Sequence, residues 1–225
     1  MNRWCAMNAF TNSNWFKFMP EEDLLILDKI KNTTVEEAFK ILMPYLENKY
    51  ENNKELIDST AKEIKTILDL QKDEVFKVLE KLTKHPIEYK EIKIRLTTLN
   101  RCPYTWETWE ILMVAPKRWD KKEFWTSTLA HEMLHMQTHR YYESEYPMNQ
   151  LNKKQFNLIK ESLTFLLNHE FEGIEMRKDP WYENHQKFRK VLEDYRLSLW
   201  ENKDFEKLIE YGCNYILDNK ILEEK

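Results

Sequence analysis

Glycine is nearly missing from this chain. Only Gly173 and Gly212 occur in 225 residues, both in the last quarter. Phosphate-cradling loops of the P-loop and dinucleotide kinds need several backbone positions without a Cβ, so neither can be assembled. A hairpin-rich all-β fold is disfavoured for a related reason, since tight hairpins lean on glycine. Cysteine is also scarce. Cys5, Cys102 and Cys213 are odd in number and far apart, and make neither a disulfide framework nor a CxxC metal clip. No stretch approaches the roughly 18 apolar residues of a membrane span. The start, Met1-Asn2-Arg3-Trp4-Cys5-Ala6-Met7, lacks a signal peptide's apolar run, and polar Asn8, Thr11 and Asn12 follow. An excess of one charge is missing too: 35 Lys and Arg face 39 Asp and Glu, for a net charge of −4. Nucleic acid and anionic membrane both require a basic footprint, so neither is expected as a partner. The expectation is a cytoplasmic protein.

What is present suffices for a packed core. Hydrophobic residues make up 42% of the chain and aromatics 13%, with eight Trp, a composition opposite to that of disordered segments. Residues 1–19 carry Trp4, Phe10, Trp15, Phe16 and Phe18, which reads as a packed arm. From Pro20 to about Lys84 apolar residues recur at helical spacing, through Leu24, Leu27, Ile41, Ile64, Leu68, Val75 and Leu82, with turns expected at Asn32 and Asn52-Asn53. The period then shortens. Ile92, Ile94, Leu96 and Thr98 alternate with polar residues as in a half-exposed strand, and Trp109–Ala115 reads as a second strand closed by Pro116. Helix returns after Asp120, which with Glu123 fits a capping box.

That helix contains His131-Glu132-Met133-Leu134-His135, an HExxH motif. Residues four apart share one helix face, so both imidazoles can point at one ion. Neutral imidazole suits Zn²⁺, and Glu132 can act as general base toward a metal-bound water. A catalytic zinc wants a third protein ligand. His139 is one turn further, but three successive turns of a straight helix do not converge on one tetrahedral ion. The arrangement in which Gly breaks the helix and a third His returns fails as well, because Thr138 and Tyr141 hold those positions. A di-iron helix bundle needs a second ExxH. No other His is preceded at that distance by an acid.

A Glu on a following helix is the remaining source. Residues 152–171 form an amphipathic stretch with Phe156, Ile159, Leu163, Leu166 and Leu167 on one face. Within it Glu161-Ser162-Leu163-Thr164 offers a carboxylate with small residues at +1 and +3, which let two helices approach closely. Glu161 is therefore the leading third ligand, with Glu170 or Glu172 as alternatives on the same stretch.

His131–His135 together with Glu161-Ser162-Leu163-Thr164 resembles the gluzincin class of zinc metallopeptidases, the thermolysin-like peptidase superfamily. The resemblance covers roughly residues 90–172. It implies one Zn²⁺ held by His131, His135 and Glu161, with Glu132 as the catalytic general base and a peptide or protein as substrate. It also implies an edge strand that pairs with extended substrate, for which Trp109, Ile111 and Met113 are the candidates. Thermolysin-type members carry an Asp four residues after the ligand Glu. Here that residue is Phe165, so support for the ligands must come from elsewhere.

An oxyanion donor would come from His169, His185, Tyr195, Arg196 or Tyr211, among which the sequence makes no choice. Trp181, Tyr182, Phe188, Val191, Leu192 and Tyr195 form a stripe at helical spacing that reads as core. The fold expected is α+β and predominantly helical: a helical region over 1–87, then a zincin-like region over 88–225 with a small sheet of two to four strands on the HExxH helix and a helical C-terminal lobe. The boundary between them is soft. The function expected is zinc-dependent peptide-bond hydrolysis. The rival is a non-catalytic helical binding or regulatory protein with a structural or vestigial zinc.

Overall fold

The computed structural model describes residues 21–89, 91–97, 104–114, 122–178, 185–199 and 204–222. Predicted features on the N-terminal arm, and at Asp120, Trp181, Tyr182, Cys5 and Cys102, lie outside these residues. Two helices open the described chain, α1 (Glu21–Ile30) and α2 (Val35–Thr83). Thr34 starts α2 with the capping box that its sequence allows. Its hydroxyl accepts from Glu37 N while the Glu37 carboxylate accepts from Thr34 N. The expected turn near Asn32 is present between these two helices.

The expected break at Asn52-Asn53 is not there. α2 runs unbroken for 49 residues, about 74 Å at the usual helical rise. Asparagine costs a helix only about 0.7 kcal/mol or less, and both side chains bond one turn back. Asn52 Nδ2 donates to Asn48 Oδ1 at 3.2 Å and Asn53 Nδ2 to Lys49 O at 2.8 Å.

The two halves of α2 do different work. Its first half holds α1 through Asp23, whose carboxylate accepts from Tyr45 and Lys49. In its second half Ile64, Ile67, Leu68, Val75, Phe76, Leu79 and Leu82 enter the main core and pack on the HExxH helix, α3 (Lys122–Tyr141). Tyr142 OH donates to Thr83 O at 2.6 Å and Tyr141 OH to Pro86 O at 2.8 Å. One apolar core therefore crosses position 87.

The sheet has three strands among the described residues: β1 (Lys93–Thr97), β2 (Tyr104–Thr105) and β3 (Glu110–Val114), in the order β1-β3-β2. β1 runs parallel to β3 with Ile94 opposite Ile111, and β2 antiparallel with Tyr104 also opposite Ile111. Of the edge expected at Trp109, Ile111 and Met113, β2 covers Ile111, while Met113 pairs with β1 alone among the described residues. β3 is the middle strand, and both Ile111 and Met113 are fully buried in the core. Trp109 lies before the strand, at φ 53° in the turn that joins β2 to β3. Alternating apolar residues mark a strand facing a core, but they do not tell middle from edge.

After α3 the chain enters α4 (Lys153–Leu163), capped by Asn152, whose side chain accepts from Lys154 N and Gln155 N. The expected helix over 152–171 is present in three pieces. α4 tightens into a 3-10 turn at Thr164–Leu166 and then continues as α5 (Leu167–Glu170). Two amphipathic helices, α6 (Gln186–Leu199) and α7 (Phe205–Asp218), close over α4. Of the stripe expected to be core, Phe188 and Leu192 are buried, whereas Val191 and Tyr195 are half-buried. No helix among the described residues is long and apolar enough to cross a membrane.

Gly212 marks the tightest packing in this lobe. A Cβ there would lie 2.9 Å from Ile159 Cδ1 and 3.0 Å from Leu192 Cδ2, and both side chains are themselves fully buried. Gly212→Val is expected to cost about 1–3 kcal/mol by overpacking, despite the better helix propensity of valine. The change should appear as a lower urea midpoint with unchanged slope. A midpoint equal to that of the unsubstituted chain would show that α6 and α7 separate freely.

Candidate metal centre

α3 is enclosed on most sides. Trp125, Leu129, Ala130, Met133, Leu134 and Met136 are buried in the core. The Thr128 and Thr138 hydroxyls donate one turn back to the carbonyls of Phe124 and Leu134. His131 and His135 emerge one turn apart on one face, with ring centroids 4.4 Å apart and planes at 79°.

Glu161 of α4 faces them. Its Oε2 lies 3.4 Å from His135 Nε2 and 3.9 Å from His131 Nε2, and one donor atom from each of the three residues falls within 4.8 Å of the others. A tetrahedral zinc with bonds of about 2.0–2.1 Å holds its ligand atoms about 3.3 Å apart. The three side chains thus stand close to the spacing that an ion requires. His135 is only 1% exposed, and neither of its ring nitrogens makes a well-directed hydrogen bond. A buried polar atom left so costs about 1–3 kcal/mol, and a metal ion would satisfy the Nε2 that faces Glu161.

The charge states fit as well. Burial pushes His135 down to about 3, helped by the nearby Lys160 and opposed by Glu161. Burial by itself would raise the Glu161 carboxyl, but His135, Lys160 and His131 together hold it well below the usual carboxylate range. Neutral imidazole and ionised carboxylate are the forms that bind a metal.

Around these three residues runs a hydrogen-bonded chain that sequence reasoning did not find. Lys160 Nζ donates to Glu161 Oε1 at 3.0 Å and to the Tyr104 hydroxyl at 2.9 Å. That hydroxyl lies 2.7 Å from His139 Nε2, and His139 Nδ1 lies 2.7 Å from Glu143 Oε2. An ammonium only donates and a carboxylate only accepts. His139 Nδ1–H therefore donates to Glu143, and Nε2 accepts the Tyr104 proton. Burial, followed by the charges of Glu132 and Glu161, pushes the Tyr104 hydroxyl far above its ordinary range, so it stays protonated. Trp106 stacks flat on His139 with 6.0 Å between centroids.

The other predicted residues separate cleanly. Glu132 is 8% exposed and sits between the two histidines in sequence. Glu170 is engaged by Arg196 at 2.7 Å, and Glu172 is exposed, so neither joins the cluster. Tyr195 stacks on Tyr211 at 4.0 Å. Of the five residues considered as oxyanion donors, His185 feels the charges of Glu161 and Lys160. No signal pointed to Tyr104, which arrives from a two-residue strand. Lys160 could have been noticed as the neighbour of Glu161.

Comparison of the chain with protein-family models, characterised proteins and solved structures finds no match.

The metal-free protein is expected to lose stability as pH falls from about 7 to about 3. An unfolded chain takes up protons on histidine near pH 6.5, while His135, His139, His169 and His185 all titrate lower in the folded chain. The unfolded state then binds more protons, and stability falls with pH. Glu161 adds to the same trend at the acid end. Urea midpoints at pH 7.5, 6, 5 and 4 should decline in that order; a flat series would contradict the assignment of these charge states.

Proposed function

We propose that this chain is a zinc-dependent metallopeptidase of gluzincin type, with a zincin-like catalytic region. The observation that carries the reading is the convergence of His131 Nε2, His135 Nε2 and Glu161 Oε2, with Glu132 next to His131 in the HExxH sequence. Zinc held by these three residues would polarise a peptide carbonyl and acidify water.

The remaining chemistry belongs to the chain. Glu132 takes a proton from the attacking water and passes it to the departing amine, a transfer worth about 10²–10⁴ in rate. His135 is sealed from solvent, whereas the side chains of His131 and Glu161 keep 13% and 20% exposure. The open side of the cluster, where a peptide reaches it, is therefore at His131 and Glu161.

The rival reading is a non-catalytic binding protein with structural or vestigial zinc, and in its structural form it calls for a site closed by four protein ligands. Among the described residues, three gather there.

Glu132→Gln is expected to keep one zinc per chain and to lower hydrolysis of a quenched-fluorescence peptide library by about 10²–10⁴-fold. Undiminished hydrolysis with zinc retained would sink the mechanism. Metal analysis of Glu161→Ala should show zinc lost, and of Glu172→Ala zinc kept. The reverse pair of results would remove Glu161 from the site.

A further inference from the structure

Three ligands do not require a lysine among them, yet Lys160 is only 6% exposed. Lysine is almost never buried so deeply without a partner. Its Nζ meets Glu161 Oε1 and the Tyr104 hydroxyl, and lies 5.1 Å from the centre of the Tyr104 ring. Consecutive helix residues do not ordinarily face each other. For Lys160 to touch Glu161, its stem must fold back, and Tyr104 is the surface onto which it folds. Tyr104 is in turn fixed by His139, and His139 by Glu143 and the Trp106 ring.

The result is that the two oxygens of Glu161 have different occupations. Oε1 is taken by an ammonium. Oε2 faces the two imidazoles.

The geometry points to Lys160 as a positioning residue for the metal: it engages Glu161 Oε1 so that the carboxylate offers the ion one oxygen, Oε2. This inference rests on the metal centre proposed above. A carboxylate is free to ligate through one oxygen or two, and a charge-assisted hydrogen bond to one of them selects between these forms. Outer partners of this kind orient the ligands they touch. Here the partner comes from the residue preceding the ligand, with an anchor on the sheet. Single-oxygen ligation keeps the coordination number low and leaves a position open, as catalytic sites need.

Cobalt(II) is the probe, because its visible absorption is strong in four-coordinate sites and weakens when a fifth donor joins. Lys160→Met keeps His131, His135 and Glu161 and frees Oε1. It is expected to bind one Co²⁺ per chain with a marked loss of visible intensity relative to the unsubstituted protein. Tyr104→Phe keeps the ammonium but removes its anchor, and is expected to show the same change to a smaller degree. Tyr104→Phe also decides the matter should Lys160→Met fail to fold. An unchanged spectrum in either folded variant overturns the positioning role. Glu161→Ala separates the two levels: if it keeps the unsubstituted spectrum, Glu161 is no ligand and the metal centre itself fails. If Glu161→Ala changes the spectrum while Lys160→Met does not, the positioning role alone fails.

Discussion

Glu161 reaches His135 because α4 lies close against α3, and that approach is set by packing. Ile159, Ser162 and Leu163 on α4 are fully buried, as are Met133, Leu134 and Met136 on α3. Phe156 fits against the His139 ring with 4.8 Å between centroids. Small side chains at Ser162 and Thr164 flank the carboxylate, so a short Glu side chain spans the gap between helices. Interiors packed to crystal-like density hold such distances with little play. A site built in this way inherits its geometry from the core.

Polar groups then divide the labour inside that geometry. Glu161 is ionised because His135, Lys160 and His131 surround it. His135 is neutral because it is buried. Tyr104 keeps its proton because it is half-buried among carboxylates. Each state stabilises its neighbours, and the low local dielectric strengthens every bond in the chain from Glu143 to Glu161. The His135 imidazole at the end of this network is buried without a well-directed hydrogen bond. Its position is the one a metal would fill.

The HExxH motif and its partner were legible because they depend on local periodicity. His131 and His135 share a face by helix geometry alone, and Glu161 sits on a stretch whose apolar pattern fixes which side turns inward. The parts that were not legible depend on pairing between distant segments. Nothing along the chain says that β2 lies beside β3 at Glu110 and Ile111. Nor does any local pattern bring Tyr104 beside Lys160, 56 positions away. Asn52 and Asn53 misled for a different reason. Their weak preference against helix is outweighed by the apolar register on either side and by hydrogen bonds one turn back.

The shortage of glycine returns at the hairpin that carries Tyr104. A turn there needs a residue in the left-handed region, where an L side chain costs about 1–2 kcal/mol. Trp109 occupies it at φ 53°. The cost is offset by contacts that glycine could not make. The indole packs near Tyr89 at 6.3 Å and under the Arg140 guanidinium at 5.9 Å, while Trp109 O accepts from Lys93 N. Arg140 belongs to the HExxH helix, and Lys93 opens β1. The strained residue therefore ties the hairpin both to the sheet and to α3, the two elements between which Tyr104 must sit. A glycine would relieve the strain and remove two of those ties. Local strain persists where the surroundings over-determine it, and here the surroundings are those that aim Tyr104 at His139 and Lys160.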